Sequence, residues 1–108
     1  MAQNEITKVS EITVVDLGNY LRIVELSPED EKALATMLNA SKDFIKSYTG
    51  LDDEGMDSHV DLITVVFVLC SDMYDNRAYY VDKSNINNIV ESILNLHSVN
   101  LLPREKES

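Results

Sequence analysis

Three side chains of this sequence, His59, Cys70 and His97, are of the types that most often bind metals or act as nucleophiles. Neither histidine has a second histidine or a cysteine at ligand spacing beside it, so no zinc motif is formed. Cys70 lies in an apolar run, where a thiol behaves as a small hydrophobic side chain. These residues therefore predict structural roles, and the sequence predicts no catalytic, metal-binding or cofactor-binding site.

A second candidate for chemistry is the acidic segment around Gly55, which contains Asp52, Asp53, Glu54 and Asp57. It lacks the regular spacing of oxygen ligands and the final glutamate of a calcium-binding loop. It also lacks an apolar wall that would raise the pKa of one carboxyl group for acid–base catalysis. We interpret these residues as a solvated acidic loop.

The composition limits the chain to one modest domain, because 108 residues allow a single core and no separate catalytic lobe. Apolar residues make up 44% of the chain, with three glycines and two prolines, which favours ordered helices. The single cysteine excludes an internal disulfide, and the amino terminus lacks a secretory signal, so we expect a cytoplasmic protein. The apolar run 62–70 is too short to cross a membrane.

The charge balance argues against nucleic-acid binding. Nineteen acidic residues oppose nine basic ones, for a formal net charge of −10, and the bases are scattered along the chain. Such a surface repels a phosphate backbone rather than holding it. The sequence therefore predicts no sequence-specific DNA binding, although an acidic protein could let DNA slide past.

Helix-start signals and apolar periodicity predict four helices. Thr13 and Asp16 resemble a capping box that opens a short helix from Val14 to about Arg22. Ser27 followed by Pro28 predicts the start of a long helix, and its apolar stripe stops at Gly50, a plausible left-handed cap.

A second long helix is predicted from Val60 to about Asn76, and a C-terminal helix, capped by Ser84 or Asn85, should end near Ser98. Residues 1–12 show no sustained period. The predicted fold is therefore an all-α bundle of about four helices, one short, two long and one C-terminal, with an irregular N-terminus and a mobile C-terminal tail.

Several apolar residues are candidates for contacts with partners. The helix from Val60 is apolar nearly all round, so it must be covered by other helices or by a neighbouring subunit. The apolar cluster Tyr79-Tyr80-Val81 follows that helix in a predicted loop. It is equally open to burial under a helix and to docking onto a partner, since loop aromatic residues make good interface anchors. The candidate subunit or partner contacts are Leu62, Val66, Tyr79, Tyr80, Val81, Leu101 and Leu102.

Three motifs in order suggest a family. They are Tyr20-Leu21-Arg22-Ile23, the helix end Phe44-Ile45-Lys46-Ser47-Tyr48-Thr49-Gly50, and Met73-Tyr74-Asp75-Asn76-Arg77. Over about residues 9–102 the chain resembles the head-tail connector (head-completion or adaptor) proteins of long-tailed phages and prophages. In that family a Leu-Arg-Ile step, a Tyr-Thr-Gly helix end and a Tyr-Glu-Asn-Arg-like ending recur.

The resemblance implies a single helical domain without enzymatic activity that forms a ring, commonly twelve-fold, beneath the portal protein. The ring would extend the DNA channel towards the tail and contact the next head-completion or tail protein. The protein would then occur in the host cytoplasm during assembly and in the virion neck. Asp52, Asp53, Glu54 and Asp57 would be candidates for an acidic lumen that favours sliding of the DNA.

Other classes of function compete with this expectation. One is a small acidic regulatory module, such as a DNA mimic that occupies a nucleic-acid-binding protein. A helix-turn-helix regulator is weakened by the absence of a basic recognition helix in the sequence. An enzyme is the least supported class, because the sequence offers no nucleophile, metal-ligand set or phosphate-binding loop.

Overall fold

The computed structural model describes residues 6–99, and the regular secondary structure in this range is all helical, with no strand. The predicted all-α bundle is confirmed, with one additional single-turn helix in the acidic segment. The helices are α1 (Val14–Tyr20), α2 (Pro28–Thr49), α3 (Asp53–Asp57), α4 (Leu62–Asn76) and α5 (Asn88–Leu96). Short 3-10 turns occupy Val9–Glu11 and Lys83–Asn85.

The starts of the first two helices follow the predicted capping signals. The Thr13 hydroxyl accepts from the Asp16 amide at 3.2 Å, and the Asp16 carboxylate accepts from the Thr13 amide at 2.8 Å. Ser27 and Asp30 form the same reciprocal pair at 3.0 and 3.1 Å, with Pro28 at the first helical position. Each pair satisfies two amides that the helix itself leaves without partners.

The predicted start of the last helix is wrong by a few residues. Ser84 and Asn85 lie in a 3-10 turn whose N-cap is Asp82, and the side chain of Asp82 accepts from the Ser84 amide. The cap of α5 is Asn87, whose side-chain oxygen accepts from the Ile89 amide at 2.7 Å. Both Asp and Asn are strong caps, and the sequence offers several in succession.

Three of the helices are followed or capped by a residue with positive φ, and each of these residues lies in one of the three sequence motifs. Arg22, Gly50 and Arg77 have φ values of 63°, 81° and 54°. The Ile23 amide donates to the Gly18 carbonyl and the Ala78 amide to the Met73 carbonyl, which are the long bonds of Schellman motifs. The motifs are therefore helix-termination signals.

The core is built around α4, which packs against α1, α2, α5 and the first 3-10 turn. Helices α2 and α4 pack against each other, and the Cys70 thiol on α4 donates weakly to the Ser41 hydroxyl on α2, with 3.7 Å between sulfur and oxygen. The buried side chains of α4 are Leu62, Val65, Val66, Leu69, Cys70 and Met73. The apolar central helix is thus covered by its own subunit.

The N-terminal segment contributes to this core rather than remaining irregular up to residue 12. Val9 and Ile12 are buried, and Ile6 packs against the same cluster. Because they are spaced three residues apart, all three side chains face the core cluster. Over residues 6–99, no helix combines the length and the apolarity that crossing a bilayer requires.

Candidate interaction surface

A groove lies between the C-terminal half of α4 and the connection that leads to α5. The connection begins at Arg77, where the left-handed backbone turns the chain away from the helix axis. It returns along α4 through residues 78–87 and encloses a volume of about 370 Å³. The groove is lined by Leu69, Asp72, Met73, Asn76, Ala78, Tyr80, Val81, Asp82, Asn85 and Ile86.

The rim of this groove is acidic. Partial burial raises the pKa of the Asp72 carboxyl group, and the nearby charge of Asp75 raises it further. Within residues 6–99, neither of these two carboxylates forms an ion pair. The Asp82 carboxylate is occupied by the Ser84 amide and by the Asn85 side chain, which donates at 2.7 Å. Asp72 is thus an exposed carboxylate at the rim of the groove whose charge a nearby cation would stabilise.

The predicted aromatic cluster borders this groove. Tyr79 and Tyr80 are 54% and 69% exposed, so the connection displays both rings rather than burying them under a helix. Val81 is half-buried and packs against the core. The cluster therefore divides into one residue that anchors the connection and two that face outward and are accessible to a partner.

Two of the predicted contact residues are wrong. Leu62 and Val66 are both 0% exposed, because α4 is surrounded by helices of its own subunit. Neither can contact another chain without opening the fold. Leu101 and Leu102 lie outside the described residues.

The acidic segment is more structured than a solvated loop. Asp52 caps α3 by accepting from the Gly55 amide at 2.8 Å, and Met56 is buried beneath this helix. Asp57 accepts from the amide and the hydroxyl of Ser10 at 2.9 and 2.7 Å, and these bonds lower the pKa of its carboxyl group. Asp57 therefore ties α3 to the N-terminal 3-10 turn.

The two remaining acids of this segment face solvent. Asp53 and Glu54 are exposed in the first turn of α3, where carboxylates favour the helix dipole. Asp53 pairs with Lys46 at 2.7 Å, an exposed ion pair of small energetic value. No group of three or more His, Cys, Asp or Glu side chains within residues 6–99 is arranged to hold a metal ion.

A polar cluster at the opposite end of α4 was missed by the sequence interpretation. His97, after α5, places Nε2 2.8 and 2.9 Å from the two carboxylate oxygens of Asp61. Because a carboxylate only accepts, this nitrogen carries a proton. The His59 ring stacks on the His97 ring with 3.9 Å between centroids and 23° between planes.

This histidine cluster joins the ends of three helices. The Tyr48 hydroxyl of α2 donates to the Asn95 side chain of α5 at 2.7 Å, and the Val99 amide donates to the Thr49 carbonyl at 2.7 Å. Two stacked rings hold their in-plane nitrogen lone pairs roughly parallel, so they do not converge on one ion. The cluster is therefore a structural clamp between α2, α4 and α5.

Cys70 is buried beside Ser41, as the apolar run predicts. Burial raises the pKa of its thiol to about 11, and the hydrogen bond with Ser41 opposes this rise only in part. Its environment is the reverse of the electropositive, accessible site of a reactive cysteine.

No known protein family, curated protein sequence or solved structure matches this chain. The functional assignment thus depends on the surfaces and helix ends described above, together with the motif resemblance.

Proposed function

We propose that this chain is a structural head-tail connector subunit of a phage or prophage particle. It assembles as a ring, twelve-fold as in the family it resembles, beneath the portal protein and prolongs the DNA channel towards the tail. Its action is binding to other subunits, to the portal and to the next head-completion or tail protein. It works in the host cytoplasm during assembly and in the neck of the finished virion, and it catalyses no reaction.

The observation that carries this proposal is the exposed pair Tyr79 and Tyr80, of which Tyr80 lines the groove. Side chains that are 54% and 69% exposed gain much apolar burial on contact with a partner, and tyrosine is enriched at the centres of interfaces. The connection is fixed at one end by the left-handed Arg77 and along its length by half-buried Val81 and Ile86. Little ordering entropy would then be lost on binding.

The three helix ends support the same proposal. The motifs that carry the resemblance fall at the C-termini of α1, α2 and α4, so they define where each helix stops and how the next connection leaves. A shared set of helix ends in one order predicts a shared arrangement of helices. It is this arrangement, rather than a catalytic residue, that a connector family would preserve.

The charge of the chain is consistent with a channel. A net charge of −10 per copy, with Asp53 and Glu54 exposed, gives an assembled ring a strongly negative surface. If part of that surface lines the lumen, it repels the DNA backbone and favours passage over binding.

Electron microscopy of the portal protein encoded in the same genome tests the proposal. Portal particles alone should be compared with portal particles mixed with this chain in excess. We expect an added ring of density on one axial face of the mixed particles. Unchanged portal particles at saturating concentrations of the chain would refute the connector function.

A further inference from the structure

The sequence that follows the described residues has a composition that complements the groove. After Val99 it reads Asn-Leu-Leu-Pro-Arg-Glu-Lys-Glu-Ser, with two leucines followed by two basic residues at alternate positions. The groove offers apolar walls at Met73, Val81 and Ile86. Its rim carries Asp72, a carboxylate without an ion pair in residues 6–99.

The pattern of charge also matches. Burial and then the charge of Asp75 raise the pKa of the Asp72 carboxyl group, and among residues 6–99 no basic side chain forms an ion pair with it. Arg104 follows Leu102 by two residues, which places a guanidinium within a few ångströms of any groove that holds the leucines. Arginine is well suited to pair with a carboxylate, because its planar guanidinium matches the carboxylate geometry.

The segment cannot deliver its leucines to the groove of its own chain. Val99 is held at the Thr49 carbonyl, beside the end of α4 where Asp61 binds His97. Met73 lies twelve residues further along α4, or about 18 Å at ~1.5 Å per residue. Leu102 is three residues beyond Val99, so its Cα reaches at most about 11 Å.

We propose that residues 100–106 of one copy occupy the groove of a second copy, with Leu101 and Leu102 against Met73, Val81 and Ile86 and with Arg104 beside Asp72. The partner that fits this surface is therefore the chain itself. Tyr80 would cover the bound segment from the mouth of the groove.

This contact is heterologous, since the segment and the groove are different parts of the chain. Repetition of a heterologous contact produces a closed ring or an open filament. The inference rests on the proposed function, because it names the contact that joins neighbouring copies of the connector ring.

Intermolecular paramagnetic relaxation tests the contact in the full-length chain. A Glu107→Cys chain without isotope labels carries a nitroxide on the new cysteine, while buried Cys70 stays unmodified. This chain is mixed with a wild-type chain whose methyl groups are isotope-labelled. We expect loss of methyl intensity at Leu69, Val81 and Ile86 and none at Val15 on α1. Unchanged groove signals, or losses only when nitroxide and isotope share one chain, would overturn the proposal.

Substitutions in the spin-labelled chain define the chemistry of the contact. Combining Leu101→Asp with Leu102→Asp should weaken it on the order of tenfold or more, because two apolar side chains lose their burial. Glu105→Gln, the matched control in the same segment, should leave the intensity losses unchanged. Equal losses with the aspartate and the control chains would contradict apolar docking.

A charge exchange tests the polar half. Asp72→Lys or Arg104→Glu alone should weaken self-association by up to about fivefold, and the two together should restore it. Asp43→Lys, at an exposed position on α2, is the matched control. It should leave self-association unchanged, and combining it with Arg104→Glu should restore nothing. Additive weakening in the double variant would exclude the Asp72–Arg104 pair.

The portal mixture separates the two proposals. If the aspartate variant still adds a ring to the portal and the chain without the aspartate substitutions shows no relaxation effect, the segment contact is wrong and the connector function stands. If the relaxation effect is present but no ring forms on the portal, the connector function is wrong and the contact between copies stands.

Discussion

Replacement of Tyr80 by alanine should weaken binding to a partner strongly and lower the folding free energy only slightly. The side chain is 69% exposed, so of the ~200 Å² that a buried tyrosine removes from water, about 140 Å² remains for a partner to cover. At ~25 cal/mol per Å², that area is worth about 3.5 kcal/mol per contact when fully buried. The loss corresponds to a weakening on the order of a few hundredfold. The part already covered limits the loss of folding free energy to about 1.5 kcal/mol.

Leu96→Ala is the matched control, because this side chain is 73% exposed but is the last residue of α5 and does not line the groove. Urea unfolding gives the stability of each variant, and titration of labelled portal gives its affinity. We expect the Tyr80 variant to fold and to lose portal or subunit binding, and the Leu96 variant to retain it. Equal affinities in the two variants would remove the tyrosine connection from the interface.

Three further predictions concern the fold itself. Leu94→Ala should lower the free energy of unfolding by about 2 to 5 kcal/mol, measured by urea titration, because Leu94 is 0% exposed, whereas Leu96→Ala on the same helix should change it by less than about 0.5 kcal/mol. Cys70 should react with a thiol reagent at pH 8 only after denaturant is added, because a thiol with a pKa of about 11 is roughly one-thousandth thiolate at that pH and is also buried; rapid reaction of the native chain would contradict its packing. Asp72→Asn should raise stability slightly at pH 7, and this gain should fade in acid, because a raised folded-state pKa penalises the charged form and leaves no penalty once the carboxyl is protonated in both states; a gain that grew on acidification would reverse the assigned sign.

Much of the helical framework follows from local sequence. The pairs Thr13 with Asp16 and Ser27 with Asp30 act within one turn, so their effect is readable without knowledge of the fold. Gly50 likewise signals the left-handed end of α2. These features depend on neighbours in the chain, which is why the predicted starts of α1 and α2 and the predicted end of α2 agree with the structure.

The left-handed backbone conformation of two arginines does not follow from the sequence. Arg22 and Arg77 read as ordinary bases near helix C-termini, where a positive charge complements the dipole. Their positive φ values show that they occupy a position that glycine favours. Glycine signals this backbone conformation by its residue type, whereas arginine does not.

The contacts that the sequence could not predict join residues far apart in the chain. His59 meets His97, and Asp57 meets Ser10, only because the bundle brings their helix ends together. The same cause explains the error at Leu62 and Val66. Apolarity predicts that a helix will be covered, but which chain covers it is decided by tertiary packing.

The native mass of the purified chain, alone and mixed with the portal protein, tests the central claim most directly. A ring of twelve 12.2 kDa copies would add 12 × 12.2, or about 146 kDa, in one step. The connector account predicts this species with the portal, or a ring of the chain alone. A monomer of 12.2 kDa in both samples would contradict it and favour a small acidic regulatory module instead.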